Sequence, residues 1–295
     1  MEFRKISLDD YEKYSEYYKK CMVACADTSF LAIWSRAVVY GIVQAFNKNF
    51  YWHKMNWNGG QELWLPPVGD WDSVDWEEVL TEVVPPGTVF GFVPEYLLEK
   101  WQAFSGRIEV QEMRGEWDYI YSIDRQVAGK GKSYTSWRRA IHKFEKSYSY
   151  TFTEIEEEDI EEIKAFQMKW MKDNEGKEKM TEELIHENET VQYVLAHWNL
   201  LPCVIGRLLR VDGKIISYMI VERLDDNIIS GHILKADKEY PEAAKFTKYQ
   251  LLKNLSSDYS VANFWGDADL EGLRKNKMQE NPIALYKKYE VLWKG

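Results

Sequence analysis

The sequence predicts an α/β protein of mixed sheets, laid out as two consecutive copies of one wiring. Three observations carry that reading. Short apolar, β-branched runs alternate with helical-period segments along the chain. The order helix, strands, helix, strand, helix recurs, once before residue 127 and once after residue 150. Tight-turn signals, Asn58-Gly59-Gly60 and Asp212-Gly213, join neighbouring strands as hairpins, so the sheets are partly antiparallel. The expected domains are 1–127, a basic connector at 128–150, and 151–295.

In the first half, Ser7-Leu-Asp-Asp opens a helix to about Lys20, its acidic first turn suiting the helix dipole. Residues 35–46 form a β-branched and aromatic run ended by the turn Asn47-Lys-Asn. Strands follow at Phe50–Asn56 and Gln61–Leu65, and Pro66-Pro67 stops the sheet pattern. Asp75–Val84 is a helix, with Val79, Leu80 and Val83 at helical spacing and Pro85-Pro86-Gly87 after it. Thr88–Val93 is a buried strand, and Pro94 leads a helix over Glu95–Phe104 because its fixed φ suits a first turn. Arg107–Gln111 and Trp117–Ile123 complete this half as strands.

The connector carries Lys130, Lys132, Arg138, Arg139, Lys143 and Lys146 against one acid, Glu145. Gly129 and Gly131 permit a tight turn whose backbone N–H groups can face an anion, and Ser133 or Thr135 can cap the helix that follows. Trp137, Ile141 and Phe144 make its apolar stripe, leaving Arg138, His142 and Lys146 on another face. Two readings stand side by side: a solvated face balancing the acidic run downstream, or a patch that binds phosphate.

In the second half, Thr153-x-x-Glu156 is a capping-box pattern for a helix to about Asp173, ended by Asn174-Glu-Gly176. Thr181–Trp198 is a second helix. Strands follow at Cys203–Val211, Lys214–Glu222 and Asn227–Ala236. Pro241 leads a helix to about Ser257, Val261–Trp265 is a strand, and Leu270–Gln279 is the last long helix.

Composition narrows the function classes. Hydrophobic residues at 45% and aromatics at 15% exclude a disordered chain. Five of the thirteen tryptophans (Trp52, Trp57, Trp64, Trp71, Trp76) crowd one window and read as large core fillers. A net charge of −10 argues against DNA or anionic membranes binding over the whole surface, although seven acids between Glu154 and Glu162 leave other stretches locally basic. Cys21, Cys25 and Cys203 form no CxxC pair and read as reduced thiols in a cytoplasmic protein. Met1-Glu-Phe-Arg-Lys-Ile carries no signal-peptide pattern, and no apolar run approaches the roughly 20 residues of a membrane helix. HExxH and GxSxG are absent and the histidines are scattered, so neither a metal site nor a Ser-His-Asp hydrolase is expected.

The segment Leu270-Glu-Gly-Leu-Arg-Lys-Asn-Lys-Met278, followed by Asn281-Pro and Tyr286-Lys-Lys-Tyr289, resembles the phosphatidylglycerol lysyltransferase C-terminal family, a branch of the GNAT acyltransferases related to Fem-type aminoacyl transferases. The Gly-Lys turn and basic helix of the connector resemble it too. The resemblance implies two tandem GNAT-like domains, with substrate entering where the fourth and fifth strands splay, here Asn227–Ala236 and Val261–Trp265. It implies aminoacyl-tRNA or acyl-CoA as donor. The family's acidic and Arg-Glu positions at those strand ends are matched here by Leu234, Phe264 and Trp265, whereas Lys235, Ala236, Asn263 and Asp267 agree with it. An apolar group takes no proton, so chemistry depending on those positions does not carry over. After the fourth strand, Asp237-Lys-Glu-Tyr-Pro-Glu-Ala-Ala244 has no glycine and two Glu, which oppose a pyrophosphate.

The site residues expected are therefore few. His232 and Glu222 are the candidates for proton transfer; Lys130, Lys132, Arg138, Arg139, His142, Lys235, Asp267, Arg274 and Lys277 are those for substrate or anion binding. Three functions compete: acyl or aminoacyl transfer, acetyl-CoA-dependent N-acetylation, and non-catalytic ligand binding on the same scaffold.

Overall fold

The computed structural model describes residues 1–21, 24–57, 60–174 and 182–295. Asn58, Gly59, Glu175, Gly176 and Thr181, read above as turn and helix-end residues, lie outside the described residues. The elements run β1 (Arg4–Lys5), α1 (Tyr11–Tyr18), α2 (Phe30–Tyr40), β2 (Val43–Asn47), β3 (Phe50–Trp57), β4 (Gln61–Val68), α3 (Trp76–Val83) and β5 (Val89–Pro94). Next come α4 (Glu95–Trp101), β6 (Ile108–Glu112), β7 (Asp118–Ser122), α5 (Ile123–Ala128), α6 (Thr135–Ser147), β8 (Tyr150–Glu154), α7 (Ile160–Asn174) and α8 (Glu182–Ala196). The rest are β9 (Val204–Val211), β10 (Lys214–Arg223), β11 (Ile228–Ala236), α9 (Ala243–Leu255), β12 (Val261–Asn263), α10 (Glu271–Gln279), β13 (Ala284–Tyr286) and β14 (Lys288–Trp293).

Two compact units result, each discontinuous in sequence. One holds residues 1–118, 266–270 and 285–295; the other holds 119–265 and 271–284. The described residues form two seven-stranded sheets, ordered β1-β2-β3-β4-β5-β14-β6 and β13-β7-β12-β11-β10-β9-β8. Each contains a parallel pair, β4 with β5 and β11 with β12, among antiparallel ladders. The chain's last strand thus completes the first sheet, and β7, from the first half, lies in the second.

The core of the first unit is aromatic. Trp52, Trp64, Trp71 and Trp76 are buried together with Trp101 and Trp293, so the tryptophan window packs as core; Trp57 is half-buried. Ring contacts link Phe50 to Trp76 at 5.1 Å, Trp76 to Trp101 at 5.8 Å and Trp101 to Phe90 at 5.1 Å. Each such pair contributes about 0.5–1.5 kcal/mol beyond its area. Lys288 is also buried in this unit, in ion pairs with Asp27 and, at 2.7 Å, with Asp118. Those two carboxylates outweigh burial and raise the Lys288 ammonium above its usual range.

In the second unit, the predicted stripe Trp137, Ile141 and Phe144 is buried, and Phe144 stacks on Phe246 of α9 at 4.4 Å. Phe166 and Gln167 of α7 meet Tyr218 of β10, the Tyr218 hydroxyl donating to Gln167 Oε1 at 2.7 Å.

Four sequence expectations are corrected. Residues 30–40 are helix: Ser29 Oγ accepts the Ala32 N–H, Gly41 ends it at φ +59°, and burial of Phe30, Leu31, Ile33 and Trp34 outweighs the β propensity of Val38 and Val39. Pro66 and Pro67 continue β4 to Val68, because they fall where its register with β3 slips between Tyr51 and His53, a bulge that tolerates a missing donor. Thr153 lies in β8, and the capping box sits at Glu156 and Asp159. Neither Ser133 nor Thr135 caps α6; Tyr134 holds that position. Strands β13 and β14, the short helix α5, and β8 had no local signal strong enough to read. Among the described residues, no helix is long and apolar enough to cross a membrane.

Candidate active site

The second unit's parallel pair opens. β11 and β12 are in register only at Ile228–Val261, Ile229–Ala262 and Ser230–Asn263. Beyond Ser230, β11 continues to Ala236 paired with β10 alone, while Phe264 and Trp265 follow β7: the Phe264 N–H donates to Tyr119 O at 3.0 Å, and Trp265 O accepts the Tyr119 N–H at 3.3 Å. Three local devices hold that departure. Asn263 Oδ1 accepts the Trp265 N–H at 2.9 Å, an Asx turn. Trp265 sits at φ +53°, a left-handed conformation that costs a bulky residue about 1–2 kcal/mol. Lys277 of α10 donates to the carbonyl oxygens of Phe264 and Trp265, its ammonium 5.5 Å from the Tyr119 ring.

At the same place β11 bulges. Ile220 pairs with Ile233 and Val221 with Gly231, so His232 is the extra residue. Bulges re-aim a side chain, and they recur beside active sites. His232 Nε2 lies 2.8 Å from Glu222 Oε2, with side chains 9% and 2% exposed. The contact is close, but neither atom meets hydrogen-bond geometry. Trp265 packs edge-on to His232 at 5.2 Å and donates from Nε1 to Ser230 Oγ at 3.0 Å. On Gly231, the Phe264 ring sits so close that a Cβ there would come within 2.3 Å of it, so only glycine fits.

Further along β11, Lys235 is 5% exposed, 2.8 Å from Glu187 and 4.1 Å above the Trp170 ring. A small, shallow recess lies at this end of the strand, lined by Phe166, Trp170, Asp173, Ala236, Asp237 and Lys238 among others.

The other expected residues do not gather here. Asp267 is fully buried and pairs with Arg114 at 3.0 Å in the first unit, also accepting the Asp269 N–H at 3.0 Å. Lys277 holds backbone carbonyls, as above. Arg274 is half-buried on α10. On α6 and the turn before it, Lys130, Lys132, Arg139 and His142 are exposed. Arg138 turns inward and donates to the carbonyl oxygens of Gly129 and, at 2.7 Å, Gly131. The turn expected to offer N–H groups to an anion therefore offers carbonyls to a guanidinium. No group of His, Cys, Asp and Glu side chains capable of holding a metal occurs among the described residues.

Two sheets wired alike, one opening between its fourth and fifth strands over a bulge, form the GNAT arrangement. The sequence profile of the phosphatidylglycerol lysyltransferase C-terminal family matches residues 25–291. The chain belongs to that family. Solved structures agree in fold. A conserved protein of unknown function from Bacteroides thetaiotaomicron is 25% identical, with 99% of both chains covered and a TM-score of 0.91. L-PGS from Bacillus licheniformis is 14% identical over 99% of this chain and 93% of that one, with a TM-score of 0.69. FemX is 10% identical over 99% and 97%, with a TM-score of 0.66. No curated protein matches. The family is thus that of phosphatidylglycerol lysyltransferase C-terminal domains, and the fold is shared with L-PGS and FemX.

Ser230 and Trp170 are members of this neighbourhood that the sequence pattern does not single out, and Trp265, read there as an apolar replacement, also anchors to Ser230. Strand β12 ends at Asn263, two residues short of the expected Trp265, and the bulge in β11 and the positive φ at Trp265 leave no mark in a one-dimensional pattern.

Proposed function

We propose that this chain transfers an acyl or aminoacyl group to an amine or hydroxyl in the opening between β11 and β12, with aminoacyl-tRNA as donor. The observation that carries the reading is the separation of the two strands after Ser230, which leaves β11 backbone groups without a second ladder. Such groups can hold a carbonyl oxygen as it gains charge. The donor preference rests on two features. The start of α9 is set by Glu242 in a left-handed conformation with no glycine before it, a poor seat for a pyrophosphate. The exposed Lys130, Lys132, Arg139 and His142 offer a basic face to a nucleic-acid backbone.

Thermal stabilisation by aminoacyl-tRNA, acetyl-CoA and free CoA tests this. A donor at 100-fold its Kd adds about 2.7 kcal/mol of stability. The expected result is a response to charged tRNA that weakens steeply with salt. A response to CoA compounds alone would make the protein an N-acetyltransferase, and none at all would leave a ligand-binding scaffold.

A further inference from the structure

We infer that His232 is the proton-transfer base of this opening and Glu222 its positioning partner, an assignment that rests on the transfer reading above. The case is geometric. As the extra residue of the β11 bulge, His232 stands one residue past Gly231 and two past Ser230, where β12 stops pairing. A strand histidine in regular register would serve equally well as packing; a bulge that swings an imidazole against a buried carboxylate beside a gap is a different arrangement. Glu222 lies opposite Ser230 in the β10–β11 ladder, so both project from one face of the sheet, the face on which Trp265 anchors to Ser230. The Cys203 thiol, which burial pushes up and the charge of Glu222 raises further, is a neighbouring ionisable group, with Arg223 acting on it in the opposite sense. Neither His232 nor Glu222 coincides with the apolar positions Leu234, Phe264 and Trp265, so the base here occupies different residues.

A base needs one ring nitrogen without a proton; with Glu222 Oε2 2.8 Å from Nε2, the assignment puts the ring proton on Nε2 and leaves Nδ1 to accept. The step is balanced. The acceptor amine gives a proton to Nδ1 as its nitrogen bonds to the donor's carbonyl carbon. The imidazolium, facing the Glu222 carboxylate, returns that proton to the leaving oxygen as the acyl–oxygen bond breaks. Nothing is oxidised, and no net proton is consumed.

Two measurements on the intact protein test the assignment. Ring ¹⁵N chemical shifts of His232 should report the Nε2–H tautomer in the parent and a shift of population towards Nδ1–H in Glu222→Gln; a parent already Nδ1–H, or one insensitive to Glu222→Gln, overturns it. With radiolabelled aminoacyl-tRNA as donor and butylamine as acceptor, His232→Gln should lower kcat by about 10²–10⁴-fold, the range of general-base contributions. KM should stay within about threefold, and the acid limb of the pH–rate profile should vanish. An active parent whose His232→Gln variant keeps its rate and profile overturns the base assignment alone. A parent inactive with charged tRNA, acetyl-CoA and every other acyl donor tried overturns the transfer reading and the assignment with it.

Discussion

The two sheets share a wiring and differ in what surrounds their parallel pairs. In the first, Leu63 packs over Gly91 so closely that a Cβ there would lie 2.4 Å from its Cδ2; in the second, the Phe264 ring covers Gly231. Both sheets also slip register next to their parallel pair, at Tyr51/His53 and at Ile220/Val221. The first fills that slip with Pro66 and Pro67 against Trp52; Leu63, Trp64, Leu65, Phe90 and Val93 nearby are buried and apolar. The buried histidine at the slip, His53, has among the described residues no carboxylate paired with it as His232 has. The second places His232 there, beside buried Glu222, Ser230 and Asn263, with Lys235 further on. The two copies share a parallel pair with a register slip beside it, and the side chains around that place differ.

Substitutions can break that contrast. Lys288→Met leaves Asp27 and Asp118 buried without their cation and should cost about 3–5 kcal/mol by urea denaturation, an effect matched only by truncation in the aromatic core. Lys248→Met in the second unit should cost less, because its partner Glu280 is 14% exposed.

Acid should act through the first unit next. Burial alone lowers His53 from its ordinary value to about 3. The unfolded chain therefore binds a proton below pH 6.5 that the folded chain refuses until about pH 3. Stability is full above pH 6.5 and falls by about 1.4 kcal/mol per pH unit below it, about 3 kcal/mol by pH 4. His53→Leu should flatten that slope in pH-dependent denaturation; an unchanged slope would assign acid lability elsewhere.

Two tryptophans sharpen the comparison. Trp101→Ala, in the closed core, should cost about 3–5 kcal/mol. Trp265→Asn gives up packing but relieves a left-handed conformation that asparagine tolerates, so its melting temperature should fall much less. Smallest in stability is the pair Lys132→Glu with Arg139→Glu. Both side chains are exposed, so unfolding should change by no more than about 0.5 kcal/mol. The salt dependence of charged-tRNA binding should fall by about two units of slope, one per lost phosphate contact. Arg138 is spared because it holds the Gly129–Gly131 turn together.

Local patterns carried most of the fold. The hairpin of β9 and β10, the α6 stripe of Trp137, Ile141 and Phe144, and the helix after Asp75 are each set by neighbours within a few residues, and each was legible. What escaped depends on partners far along the chain. β14 is a strand because it lies between β5 and β6, and Lys277 reads as a solvated or anion-binding cation until the carbonyls of Phe264 and Trp265 are seen around its ammonium. His232 and Glu222 are each nameable from sequence as candidates for proton transfer, but not as a pair: strand alternation alone gives no bulge, and at the bulge they lie 2.8 Å apart.

Amide hydrogen exchange with and without saturating aminoacyl-tRNA tests the central claim most directly. New protection should concentrate at Gly231–Ala236 and at Phe264–Trp265, the backbone on either side of the opening. Protection confined to Val89–Pro94 of the first sheet, or to the surface of α6 with none in β11, would contradict the account.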